Sequence, residues 1–236
     1  MIPTRKRIFI LIFLIVTLGL LLRILLFPQP LLVSKEEPNY RRASGGAPLP
    51  VLVTVFYEAL CPDSKYFITK QLLPAYKVAA PIMEVQLVPY GKAHTTTDDE
   101  GKLIFDCQHG PTECQANTYH ACAAEVIDDP LIRLEVVNCM IRDNRIPKDA
   151  MQKCAKQYNV ENIDLIQKCF DSDHGSELMK LNGDATHALR PPVKFIPTIT
   201  IDGSQGRQES ILKDLLSEVC KATGGSEAAK RICKKP

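Results

Sequence analysis

A strand-like run ends at Cys61, and a helix-like run starts directly after it. Val51 to Tyr57 alternates and is rich in β-branched and aromatic residues, the pattern of a half-buried strand. Ser64 to Ala80 carries Phe67, Ile68, Leu72, Leu73 and Tyr76 at a helical period, which Pro74 should kink or end. Met83 to Pro89 reads as a second strand. The three runs make a βαβ unit, whose connection is right-handed and whose strands are parallel. At the turn, Cys61-Pro62-Asp63-Ser64 has the form of a redox dithiol site with one sulfur missing. The chain has 9 cysteines, an odd number, so full pairing in an oxidising compartment leaves one thiol over, and Cys61 is the candidate.

The compartment follows from the N-terminus. Arg5-Lys6-Arg7 precedes an uncharged run from Ile8 to Leu22, and Arg23 separates that run from Ile24 to Phe27. Residues 8–27 are a signal anchor or a signal peptide. Counted through Phe27 the run is about the length that spans a bilayer, and no clear small-residue cleavage site follows, which favours the anchor. The positive flank places residues 1–7 in the cytosol and the body in the lumen, or outside the cell if the segment is cleaved. Residues 28–48, with their prolines and Ser44-Gly45-Gly46, read as a linker, and residues 49–236 as the lumenal domain. A net charge of +2 with no basic run in the body gives no footprint for nucleic acid.

Residues from about 92 to 190 are rich in cysteine and in helical periods. Thr118 to Val126, Asp129 to Arg142, Lys148 to Tyr158 and Asn162 to Phe170 are the expected helices, and together they read as a helical insertion. Leu131 to Ile141 reads as a core-facing helix surface, and Asp98-Asp99-Glu100 as a solvated turn. Lys194 to Asp202 is then a strand entered through Ile196-Pro197, with a turn at Asp202-Gly203 and a last helix from about Glu209 to Lys221. This order is that of an α/β, thioredoxin-like fold interrupted by helices. In such folds a cis X-Pro bond faces the active-site helix, and Ile196-Pro197 stands in that place, where it would contact substrate.

The chemistry follows from position. A thiolate, not a thiol, attacks a disulfide. Unpaired N–H groups and the positive end of the macrodipole at a helix N-terminus stabilise a negative sulfur. Pro62 suits the first helical position, where its missing N–H costs nothing. Asp63 opposes a thiolate, and Ser64 is expected to donate a hydrogen bond to the sulfur. Two thiols allow attack, mixed disulfide and internal release. With Ser64 only the first half can occur internally.

Cys107 to Cys122 reads C-Q-H-G-P-T-E-C-Q-A-N-T-Y-H-A-C. The run resembles the signature of the gamma-interferon-inducible lysosomal thiol reductase family, with Cys107, Gln108, His109, Gly110, Glu113, Cys114, Asn117 and Cys122 at its fixed positions. Tyr57 to Cys61, Val88 to Gly91, Leu189 to Pro192 and Pro197 extend the resemblance to about residues 50 to 233. It implies a thioredoxin-like fold and reduction of protein disulfides at acidic pH in endosomes and lysosomes, serving antigen processing or host defence. The family site is a C-x-x-C pair. Cys61 matches its first cysteine and position 64 departs.

Cys107, Cys114, Cys122, Cys139, Cys154, Cys169, Cys220 and Cys233 are expected in structural disulfides, with on the order of 100 possible pairings. Cys220 with Cys233 is the one pair singled out. Zinc ligation by Cys107, His109, Cys114, His120 and Cys122 is disfavoured by spacing and compartment, and no metal or cofactor is expected. His109 and Asn117 are expected to fix local backbone or cap helices. Two functions compete. One is a thiol-disulfide oxidoreductase with Cys61 as nucleophile, taking disulfide-bonded or cysteine-containing protein substrates and a small-thiol reductant. The other is a module that captures such clients without turnover.

Overall fold

A computed structural model describes residues 17–19 and 49–234 of the 236. Residues 17–19 are helical. Apart from these three, the cytosolic tail, anchor and linker expected over residues 1–48 lie outside the described residues. Among the described residues no helix is long and apolar enough to cross a membrane.

Strand β1 (Val51–Tyr57) is the centre of a three-stranded sheet of order β2, β1, β5. It pairs in parallel with β2 (Met83–Pro89), Val51 opposite Met83 and Tyr57 opposite Pro89. Its other edge pairs antiparallel with β5 (Thr198–Ile201), Val53 opposite Ile201 and Phe56 opposite Thr198. Covered on both faces, β1 buries Val51, Val53, Val55 and Tyr57 completely and Thr54 and Phe56 nearly so. The outer edge of β5 is closed by Gln208, whose side chain accepts from the Ile199 N–H at 2.9 Å and donates to the Ile199 carbonyl at 2.5 Å.

The segment after Cys61 is helical, as its period requires, and Pro74 reshapes it. Helix α1 (Pro62–Phe67) passes into a π turn at Ile68–Leu72 and then into α2 (Leu73–Ala79). Pro74 has no N–H, and its ring would meet the carbonyl four residues back in a regular helix. The wider π turn accommodates it without ending the rod.

Between β2 and β5 lie the expected helices and three features that periodicity did not reveal. First, β3 (His94–Thr97) and β4 (Leu103–Asp106) form an antiparallel hairpin, with Asp98-Asp99-Glu100 in its turn. Second, α3 (Pro111–Val126) starts seven residues before the expected Thr118, at Pro111 in its first turn. Helices α4 (Pro130–Arg142), α5 (Pro147–Gln157) and α6 (Ile163–Asp171) lie within a residue or so of expectation. The third feature is α7 (Asp173–His187), a polar sequence broken by glycines.

Helix α4 has two buried faces. Leu134, Val137 and Ile141 join the core of the sheet, while Val136 and Met140 join a second core with Tyr119, Cys122, Met151 and Ile166. The stretch Leu131 to Ile141 is thus core-facing, as its pattern implied.

The C-terminal strand is shorter than Lys194 to Asp202, because Lys194 to Pro197 precede the paired region. The expected last helix is two, α8 (Gln208–Lys213) and α9 (Leu215–Ala222). They break at Asp214, whose extended backbone frees its carboxylate to cap α9 by accepting from the Ser217 N–H at 3.0 Å. Helix α10 (Glu227–Cys233) follows.

Candidate active site

Cys61 is the N-cap of α1, with extended backbone at φ −67° and ψ 124° and Pro62 in the first helical turn. Its carbonyl accepts from the Lys65 N–H at 3.0 Å, and its own N–H donates to the Glu58 carbonyl at 3.3 Å. The residue therefore stands at the helix start, and its side chain makes no capping hydrogen bond to the helix N–H groups. Eight cysteines form four disulfides, Cys107–Cys114, Cys122–Cys169, Cys139–Cys154 and Cys220–Cys233, and Cys61 is the free one. Cys61 is buried to 8% exposure, and its Sγ lies 3.8 Å from the Ile196 carbonyl oxygen, to which the thiol donates. Ile196-Pro197 is a cis bond. The two segments picked from sequence, far apart along the chain, meet at this sulfur.

Ser64 takes another role than the one expected. It is fully buried, and its Oγ accepts from the Glu58 N–H at 3.3 Å, so it ties the loop between β1 and α1 back onto the helix.

Three more side chains hold the same loop. Asn117 Oδ1 accepts from the Ala59 N–H at 2.8 Å, Glu113 Oε2 accepts from the Leu60 N–H at 3.3 Å, and Asn144 Nδ2 donates to the Ala59 carbonyl at 3.1 Å. Glu113 and Asn117 lie four residues apart on α3 and so share one face. The Ala59 N–H and C=O and the Leu60 N–H thereby gain partners, as buried backbone groups require. The disulfide Cys107–Cys114 closes the turn into α3 and fixes that face. Asn117 does fix backbone, but backbone 58 residues away.

Asn144 Nδ2 also lies 3.1 Å from His120 Nε2. Its two hydrogens serve Ala59 and His120, so Nε2 is the acceptor and the ring proton sits on Nδ1, donated to the Tyr57 oxygen at 3.0 Å. Burial holds the His120 pKa down to about 3, with the Asn144 hydrogen bond opposing, and burial pushes the Tyr57 hydroxyl far up. Both are neutral spacers beneath the loop.

Beside them, His109 Nδ1 lies 2.6 Å from Glu113 Oε2 and 3.5 Å from Glu58 Oε2. One atom from each of the three residues lies within 4.8 Å of the other two. The 2.6 Å contact is a short hydrogen bond between the His109 ring and the Glu113 carboxylate. Cys107, Cys114 and Cys122, weighed as zinc ligands, are committed to disulfides.

With this geometry in place, the relatives are informative. The model of the gamma interferon inducible lysosomal thiol reductase family matches residues 52–158, which contain Cys61, Glu113, Asn117 and Asn144. A gamma-interferon-inducible lysosomal thiol reductase of Carassius auratus is 36% identical over 183 residues, covering 76% of this chain and 71% of that protein. This chain belongs to that thiol reductase family. A Mus musculus protein of the same name is 34% identical over 75% of this chain and 70% of its own. Chlamydia trachomatis DsbA shares the fold at a TM-score of 0.52 and 14% identity, over 75% of this chain and 89% of that one. The fold is thus thioredoxin-like with a helical, disulfide-rich insertion, and the family is one of thiol-disulfide oxidoreductases.

Sequence reasoning placed Cys61, Ile196 and Pro197 and missed Glu58, Asn144 and the reach of Glu113. Glu113 sits in the first turn of a helix, where an acid is ordinarily a solvated dipole partner. Its burial is tertiary, and only the signature spacing to Asn117 hints at it.

Proposed function

We propose that this protein is a lumenal thiol-disulfide oxidoreductase that acts on disulfides of protein clients through Cys61 as its one nucleophile. The observation that carries this is a single free cysteine at a helix N-cap beside a cis-proline loop, with every other cysteine paired. The Cys61 thiolate attacks one sulfur of a client disulfide, forming a mixed disulfide and releasing the other client sulfur as a thiolate. Ser64 cannot displace the client. Release falls to an outside thiol or to another client cysteine. The first path gives net reduction, with two small thiols oxidised to their disulfide per client bond, and the second gives isomerisation. Ile196 and Pro197 line the place where client backbone would lie. Four disulfides suit an oxidising compartment. The names of the relatives point to lysosomes, and the apolar run at residues 8–27 suits an anchor that leaves the domain on the lumenal side.

Ser64 itself favours a second reading, in which the mixed disulfide persists and the domain holds clients without turnover. Insulin reduction at about pH 5 with a small thiol, comparing wild type, Cys61→Ala and Ser64→Cys, separates the two. Turnover by wild type and none by Cys61→Ala is expected, with Ser64→Cys faster than both. Equal rates for wild type and Cys61→Ala would sink the enzyme. Turnover by Ser64→Cys alone would make the natural protein a trap.

A further inference from the structure

Two carboxylates, Glu58 in the loop after β1 and Glu113 in the first turn of α3, are buried to 1% and 0% exposure. Acids this deeply buried ordinarily carry a counter-charge or coordinate a metal. One oxygen of each is held by a backbone N–H: Glu58 Oε1 accepts from Lys92 at 2.8 Å, and Glu113 Oε1 from His109 at 3.1 Å. The other oxygen of each faces a single atom, His109 Nδ1, which lies 3.5 Å from Glu58 Oε2 and 2.6 Å from Glu113 Oε2. Glu113 Oε2 also accepts from the Leu60 N–H at 3.3 Å. Glu58 Oε2 accepts no hydrogen bond among the described residues, so a buried carboxylate oxygen is aimed into the cluster without one. We propose that Glu58, His109 and Glu113 form a site for a divalent cation of the zinc class, bound through Glu58 Oε2, Glu113 Oε2 and His109 Nδ1. The site does not depend on the chemistry at Cys61.

The donor set and its spacing fit such an ion. One imidazole with two carboxylates suits zinc, whereas calcium and magnesium take oxygen ligands throughout. Tetrahedral zinc with bonds of about 2.1 Å holds its ligand atoms about 3.4 Å apart. The Glu58 Oε2 to Nδ1 separation of 3.5 Å already has that value and is too long for a good hydrogen bond. The Glu113 contact has to open by about 0.8 Å to reach it. Three protein ligands leave a fourth position for water, and the exposed His109 ring gives the ion a way in. The ligands are also set in place without an ion. The Lys92 N–H orients Glu58 as outer partners orient a ligating carboxylate. Gly91 supplies the space, since a Cβ there would overlap the Glu58 side chain. The disulfide Cys107–Cys114 brackets His109 and Glu113. Burial raises the Glu58 carboxyl, the Lys92 N–H bond opposes, and the Glu113 charge raises it further. A bound cation relieves that like-charge repulsion, and it joins the loop after β1 to the start of α3.

The test is calorimetric titration of the folded full chain with Zn2+ alone at about pH 7, because metal binding requires deprotonated ligands. A Cys61→Ala background removes the free thiol as a competing ligand. One ion per chain is expected, with binding weakened about tenfold or more by Glu58→Gln and by His109→Gln. His174 serves as the control: it stands 2.6 Å from Glu125 and 3.8 Å from Glu177 among exposed side chains, and His174→Gln should leave binding unchanged. Zn2+ should also raise the Tm of the Cys61→Ala chain, and do so far less in the Glu58→Gln and His109→Gln chains. Thermal unfolding without metal identifies a variant that fails to fold, and the other then carries the comparison. No binding by the Cys61→Ala chain would overturn the site. Equal binding by every variant, or a loss only in His174→Gln, would mean an adventitious ion elsewhere on the surface and would overturn it as well. None of these results bears on Cys61 as nucleophile, which the insulin assay decides separately.

Discussion

Ser64 and Gly91 show how much can rest on one atom. The Ser64 hydroxyl oxygen is spent on the Glu58 N–H, so the residue ties the loop back onto the helix. A serine three residues after Cys61 was visible in the sequence. The bond was not, because a loop-to-helix contact leaves no period. Gly91 has φ +64°, and a Cβ there would overlap the buried Glu58 side chain. Gly91→Ala therefore meets both left-handed strain and displacement of Glu58, and should destabilise the fold by roughly 2 to 4 kcal/mol. Denaturant unfolding would measure this, and a loss under about 0.5 kcal/mol would mean that Glu58 moves aside freely.

At the scale of elements, α3 does two jobs, and its two disulfides divide them. Cys122–Cys169 ties α3 to α6 across a sequence separation of 47, whereas Cys107–Cys114 spans 7 and closes the turn before Glu113 and Asn117. Loop-closure entropy makes the longer bridge worth about 4 kcal/mol and the shorter about 2.5. Paired Cys→Ser variants should therefore rank one way in thermal stability and the other way at the site. Loss of Cys122–Cys169 lowers Tm more, and loss of Cys107–Cys114 alters Cys61 alkylation more. The same ranking in both measurements would show that the turn does not position the loop. Strands β1 and β2 and helices α4 to α6 were legible because each buries an apolar face at its own period. The β3–β4 hairpin was hidden because its strands are four residues long and half exposed. Helix α7 was hidden by its glycines, yet Gly183 is there because the Tyr90 ring stands 2.7 Å from where a Cβ would be. A close approach of this kind reads, in sequence, as a helix breaker.

For the whole molecule, acidification sets two buried groups against each other. The His120 pKa is held down to about 3, so the unfolded chain takes up this proton from about pH 6.5 downward and the folded chain does not. Stability present above that value is lost as pH falls through the window, by about 2 kcal/mol at pH 5. The Glu58 carboxyl is raised by burial, so its sign is opposite: its contribution is full below the ordinary carboxylate value and is lost as pH rises through the raised one. The fold thus exchanges a neutral histidine under the loop, which acid penalises, for a carboxyl beside it, which acid relieves. His120→Gln keeps a side chain able to accept from Asn144 Nδ2 and to face Tyr57 while removing the titration. Its unfolding free energy should fall less than that of wild type between pH 7 and pH 5, with the gap closing by about 2 kcal/mol. Identical slopes for the two proteins in denaturant titrations would mean that the buried imidazole takes up its proton in the folded state. In that case it is charge on His120, and not its hydrogen bonds alone, that the Cys61 loop feels in acid.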